Sequence, residues 1–168
     1  MTPYTLFIQE PSQLLRNIQK WLDKAVTFAA EKKFDPSVLL SARLAPDMFG
    51  LARQIQSACD SAKGNAARLA GKDAPSHPDT ETTIDELKAR IDATLQFLET
   101  FKESDFEGAD TRKISLGWMQ GKHVVGADYA RQFALANFHF HITTSYLILR
   151  HNGVPLGKMD FIGALNMV

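Results

Sequence analysis

On the last long helical stretch, Asn137, His141, Thr144 and Ile148 follow Phe133 at steps of four, four, three and four, so all five share one helical face. An amide, an imidazole and a hydroxyl on an apolar face can bind a ligand or satisfy one another. Asn137 and His141 stand one turn apart and can reach a common ligand. His139 is turned roughly 200° away from His141 by the 3.6-residue repeat, so those two rings cannot share a metal on a regular helix. A partner is expected at Asp47. It follows Pro46 at the expected start of a second long helix, four residues before Leu51 and eight before Ile55, where free N–H groups and the helix dipole favour a carboxylate. Arg43, just before it, is placed to neutralise that charge.

Plainer roles compete for the same residues. Asp47 can serve only as a first-turn acid, His141 as a core ring with one hydrogen bond, and Asn137 as an amide holding a neighbouring loop. Thr144 is expected to bond its own helix backbone. His77, between Ser76 and Pro78, reads as a solvent loop residue, His123 as structural or exposed, and His139 as surface or interface. Tyr146 and Arg150 can stack on one another, and Cys59 reads as a small core residue.

Several chemistries are excluded. There is no G-x-S-x-G, no P-loop, no G-x-G-x-x-G after a strand and no H-E-x-x-H. No histidine has a glutamate three residues before it, which removes the standard di-iron carboxylate site. Nineteen basic residues balance nineteen acidic ones, so no nucleic-acid partner is expected. A single cysteine excludes an intramolecular disulfide and a thiolate metal cluster. No run approaches the ~18 apolar residues of a membrane span. No secretory signal is read at the start, and the cytoplasm is the expected compartment.

The elements that must position the candidates follow from periodicity. A helix is predicted from Pro11 to about Phe28, with the residues before Pro11 extending it through a kink or forming a separate turn. Asp35-Pro36 opens a short helix ending near Leu44, and Pro46 opens the second long helix, to about Ala70. Residues 71–78 form a loop containing Pro75 and Pro78. Thr83 and Glu86 have capping-box spacing, opening a third helix with the stripe Ile84, Leu87, Ile91, Leu95 and Leu98. Alternation over 112–118, a turn at 119–121 and a return over 122–125 predict a hairpin whose apolar side, Trp118 included, lies on the helices. The fourth helix is predicted from about Ala127 to Arg150, stopped at His151-Asn152-Gly153, with 154–168 as a tail. The class is all-α: one domain over residues 1–168, a four-helix bundle with a short β-hairpin inserted before the last long helix.

Two segments carry a resemblance. The stretch Asn137-Phe138-His139-Phe140-His141-Ile142-Thr143-Thr144-Ser145-Tyr146, continuing to Gly163, and the stretch Leu40-Ser41-Ala42-Arg43-Leu44-Ala45-Pro46-Asp47-Met48-Phe49, with Cys59-Asp60-Ser61-Ala62-Lys63, resemble a bacterial domain family of unknown function. That family is similar to the DinB/YfiT-like metalloenzyme superfamily, over nearly the whole chain. The resemblance implies a four-helix bundle, frequently a homodimer, with a divalent metal, often nickel or zinc, on one histidine of helix two and an H-x-x-x-H pair of helix four. His141 matches the last ligand. Asn137 stands where the preceding histidine would be, and Asp47 is matched to the helix-two ligand. The implied metal set is therefore Asp47, Asn137 and His141, backed by Arg43 and Thr144, with positions open for water or substrate. The same residues can form a metal-free network, Asp47 orienting the ring. Two readings follow: a metal-dependent enzyme acting on a small molecule, or a non-catalytic, dimeric or apolar-ligand-binding protein with no membrane partner.

Overall fold

The structure is a computed structural model, and it describes residues 1–165. Four long helices dominate it. The first is α1 (Glu10–Lys32), entered through a π-helical turn, Thr5–Gln9. Proline has no N–H and its ring crowds the carbonyl four residues back, so the helix widens just ahead of Pro11 and continues. Of the two arrangements considered for the residues before Pro11, the continuous helix is the one found.

Helix α2 (Leu51–Ala70) starts later than expected. Asp35 caps a short 3-10 helix, Pro36–Ser41, by accepting from the Ser37 N–H. The chain then leaves helical geometry until Gly50. Pro46 sits in a turn closed by Met48 N–H on Ala45 O, and Leu51 N–H bonds back to Ala42 O. Gly50 caps α2 in extended geometry, packed so close to Leu40 and Ser41 that a Cβ there would lie 3.1 Å from Leu40 O. Asp47 therefore lies in the turn ahead of the helix, not in its first turn.

Helix α3 (Ile84–Glu99) begins with the expected capping box of Thr83 and Glu86, and its stripe is buried. Strands β1 (Lys113–Ile114) and β2 (Val124–Val125) pair antiparallel, Lys113 opposite Val125 and Ile114 opposite Val124, which realises the hairpin with shorter strands. Its tip departs from expectation: Ile114 is buried, but Trp118 is 66% exposed. The last long helix, α4, runs continuously over 126–151 and includes a π-helical turn, Ala130–Ala134. The tail is not irregular throughout. A short helix, α5 (Lys158–Ile162), docks on α1, where the Trp21 indole donates to Asp160 O (2.9 Å) and Asn17 to Phe161 O (3.0 Å). The tail's last three residues, 166–168, lie outside the described residues.

One apolar cluster joins these helices, built on Trp21, Leu22, Ile55, Leu87, Ile91 and Ile142, all fully buried. Helix α2 is buried on most sides and packs chiefly against α4 and α3. The innermost face of α4 carries Ala134, Phe138, Ile142, Ser145 and Leu149. The stripe of Phe133, Asn137 and His141 lies one step around from it and is half-buried. Among the described residues, no helix is long and apolar enough to cross a membrane.

Candidate functional site

Helix α2 presents polar residues of its own at helical spacing: Gln54, Ser57, Ser61, Asn65 and Arg68, at steps of three, four, four and three. They face α4, which runs antiparallel, and the two helices meet in a polar seam. The His141 Nδ1 lies 2.8 Å from Gln54 Oε1. Asn137 Nδ2 donates to Ser61 Oγ at 2.8 Å, and Asn65 Nδ2 donates to Ala134 O at 3.2 Å, a carbonyl within the π-helical turn. The Tyr129 hydroxyl donates to Asn65 Oδ1 at 2.7 Å and accepts from Arg68 Nη1 at 3.3 Å.

The seam opens on a cleft of about 360 Å³, lined by Ser57 and Ser61 of α2, by Phe133, Asn137 and His141 of α4, and by Trp118 of the hairpin. Tyr129 stacks on Phe133 (centroids 5.8 Å apart), and Trp118 lies against Phe133 at 6.0 Å. The hairpin, with Trp118 at its tip, thus supplies an aromatic rim to a hydrogen-bonding wall. The volume is at the small end of ligand pockets.

The tautomer of His141 follows from its neighbours. Gln54 is buried, and its Nε2 donates to Phe49 O at 3.4 Å, which turns Oε1 toward the imidazole. A carbonyl oxygen only accepts, so Nδ1 carries the proton and Nε2 keeps a lone pair. Burial lowers the His141 pKa below its ordinary value, and the positive field of Arg53 adds to that. The ring is therefore a neutral base at pH 7, held by one nitrogen.

The residues expected around it separate. Asn137 and His141 share the cleft. Asp47 is exposed in its turn and makes no side-chain hydrogen bond or ion pair with a described residue; Gln54, one turn into α2, occupies the position facing the ring. Arg43 is exposed and donates to Pro46 O at 3.3 Å. Thr144 is buried, but it is Ser145 whose hydroxyl returns to the helix backbone, on His141 O at 2.8 Å. His139 lies on the surface with Nε2 3.0 Å from Glu10 Oε1, and Cys59 is buried, its thiol pushed up to about 11 by desolvation.

His77 is not a free loop residue. Its Nδ1 lies 3.0 Å from Lys63 Nζ, a nearly fully buried ammonium that also meets Pro75 O (3.2 Å) and Asp60 (3.1 Å). Beside it the buried Arg90 donates to Asp60, Glu81 and Pro78 O, each at 2.9 Å, and pairs with Asp79. These two cations clip the loop 71–83 onto α2 and α3. Their spacing carried a signal: Lys63 follows Cys59 by four residues and Arg90 follows Leu87 by three, so each cation borders the apolar stripe of its helix.

A divalent nickel or zinc ion fits this donor set poorly. Among the described residues no three His, Cys, Asp or Glu side chains cluster as a metal site would require. His141 offers one nitrogen, the Asn137 amide is held by Ser61, and borderline metals prefer imidazole or thiolate to neutral amides and hydroxyls.

Comparison with known proteins agrees with the architecture. No curated protein sequence matches the chain. A crystal structure of a DinB family member protein from Shewanella denitrificans is 48% identical, with a TM-score of 0.95, covering 98% of this chain and 94% of that one. Residues 4–162 match the family described as Domain of unknown function (DUF1993). A mostly helical chain with a two-stranded hairpin, matched over nearly its whole length by a DinB family structure, belongs to DUF1993, a DinB-like family of unknown function.

Proposed function

We propose that the cleft between α2 and α4 binds a small polar molecule without a metal, and that His141 Nε2 accepts a hydrogen bond or a proton from it. The observation that carries this is the Gln54 contact: it consumes Nδ1 and leaves the lone pair of a neutral ring beside Asn137 and Ser61. A fixed, desolvated and neutral imidazole is an arrangement that general-base chemistry uses, so turnover by proton abstraction is compatible with the same site. The four long helices read as a bundle that holds this seam rigid. The outer face of α4, where Phe140 and Leu147 are exposed, favours self-association as a homodimer, which light scattering on purified protein checks directly.

The test is an NMR screen of small polar compounds followed through the indole N–H of Trp118 and the ring of His141. Binders are expected to move both, and to lose at least tenfold in affinity in His141→Ala and Asn137→Ala. Hits that move neither, or that bind both variants unchanged, refute the cleft. Elemental analysis of untagged protein is expected to show less than a tenth of an equivalent of nickel or zinc. A stoichiometric metal lost in His141→Ala would overturn the metal-free reading.

A further inference from the structure

Resting on that reading of the cleft, we infer that its ligand is a monoanion, a small carboxylate with a flat apolar portion and a hydroxyl or N–H to donate to His141, and that Arg68 is the residue that takes the charge. Arg68 lies at one end of the seam, and no carboxylate of the described residues lies within ion-pair distance of it. Its guanidinium is nonetheless placed. Nη1 donates to the Tyr129 hydroxyl, whose own proton goes to the buried Asn65. The planar group lies on the backbone of Gly64, where a Cβ would stand 2.5 Å from Nη1. Glycine in a helix interior costs roughly 1 kcal/mol relative to alanine. Here its missing Cβ leaves the space the guanidinium occupies.

The other charge at the cleft does not neutralise Arg68. Asp60 lines the same wall, but its Oδ1 is bound by Arg90 at 2.9 Å and Lys63 at 3.1 Å, two nearly fully buried cations. The charge left over at the cleft is positive and single. The Tyr129 hydroxyl has committed its proton, so the charged donors that the cleft lining offers an anion are the remaining N–H groups of one guanidinium. That suits the planar fork of a carboxylate better than a dianionic phosphate. The rings of Phe133 and Trp118 beside it supply the flat apolar surface.

4-Hydroxybenzoate and its neutral isostere 4-hydroxybenzamide, the benzoate and benzamide probes, each keep a phenol hydroxyl to donate to His141 and are read through the Trp118 indole N–H, with the buried Trp21 indole as internal reference. Benzoate is expected to bind wild-type protein at least tenfold more tightly than benzamide. Arg68→Gln is expected to remove that preference, bringing benzoate down to benzamide while benzamide stays unchanged. Gly64→Ala, whose Cβ would press on the end of the flexible Arg68 side chain and shift the guanidinium without touching its charge, is expected to weaken that preference in part. Equal binding of both probes by wild type, or an undiminished benzoate preference in Arg68→Gln, overturns the anion assignment and leaves the cleft reading standing. If neither probe moves Trp118 in wild type, both inferences fall.

Discussion

Arg90→Met removes a guanidinium while keeping most of its apolar stem, and so isolates the charge that clips the loop 71–83. The Arg90 side chain is 1% exposed, and it serves Asp60, Asp79, Glu81 and the Pro78 carbonyl. Removing one member of a buried ion pair costs about 3–5 kcal/mol, because the partners stay desolvated. Here each carboxylate retains another contact: Lys63 on Asp60, Arg53 on Asp79, and Gln56 on Glu81. Asp60 and Asp79 are also 47% and 34% exposed, so water can reach them. The expected loss is therefore near the lower bound, about 3 kcal/mol, or roughly 6–12 °C in Tm for a chain of this size. Urea unfolding gives the free energy, and hydrogen exchange reports on the loop, whose amides are expected to lose protection ahead of α2. A loss under about 1 kcal/mol, the value of an exposed pair, with loop protection unchanged, would refute the clip.

Other outcomes follow from the same contacts. Gly126→Ala is expected to cost more than about 3 kcal/mol, because the new Cβ would stand 1.8 Å from the Ala109 carbonyl oxygen, whereas Gly117→Ala, with open space around it, is expected to stay within about 0.5 kcal/mol in the same denaturation assay. Asp47→Ala is expected to leave stability within about 0.5 kcal/mol and the His141 ring resonances in place; a shift of those resonances would return Asp47 to the site. Burial lowers the pKa of His77 and of His141 below 6.5, so the unfolded chain binds more protons than the native one in the window beneath that value. Stability is therefore present above pH 6.5 and is lost as the pH falls through the folded pKa values, with a slope of at most about 1.4 kcal/mol per pH unit for each ring. Calorimetry between pH 7 and 5 checks this, and His77→Gln combined with His141→Gln is expected to flatten the slope.

Much of the fold was legible because long apolar stripes and the Thr83–Glu86 capping box are local signals. The start of α2 was not. Proline at a first helical position is a sound local rule, yet the close approach of Gly50 to Leu40 and Ser41 keeps residues 42–50 out of the helix, and that contact exists only after folding. The displacement left Asp47 exposed in the turn ahead of the helix, and Gln54 is the residue that meets His141. Half of the seam was readable in Asn137 and His141. The other half, Gln54, Ser57, Ser61 and Asn65, has equally regular spacing, but it is scattered through a helix rich in alanine and serine whose apolar stripe dominates. A second period of short polar residues beside that stripe was the available signal. Lys63 and His77 could not be read locally, since their meeting depends on how a 13-residue loop, 71–83, folds back over α2.

Long-range proton–nitrogen NMR correlation on the His141 imidazole, with no ligand added, addresses the site most directly. The expected spectrum at pH 7 shows a protonated Nδ1 and a bare Nε2, a titration midpoint below 6.5, and loss of that tautomer preference in Gln54→Leu. A ring protonated on Nε2, or one that titrates above 6.5 and ignores the Gln54 substitution, would contradict a base held open toward the cleft.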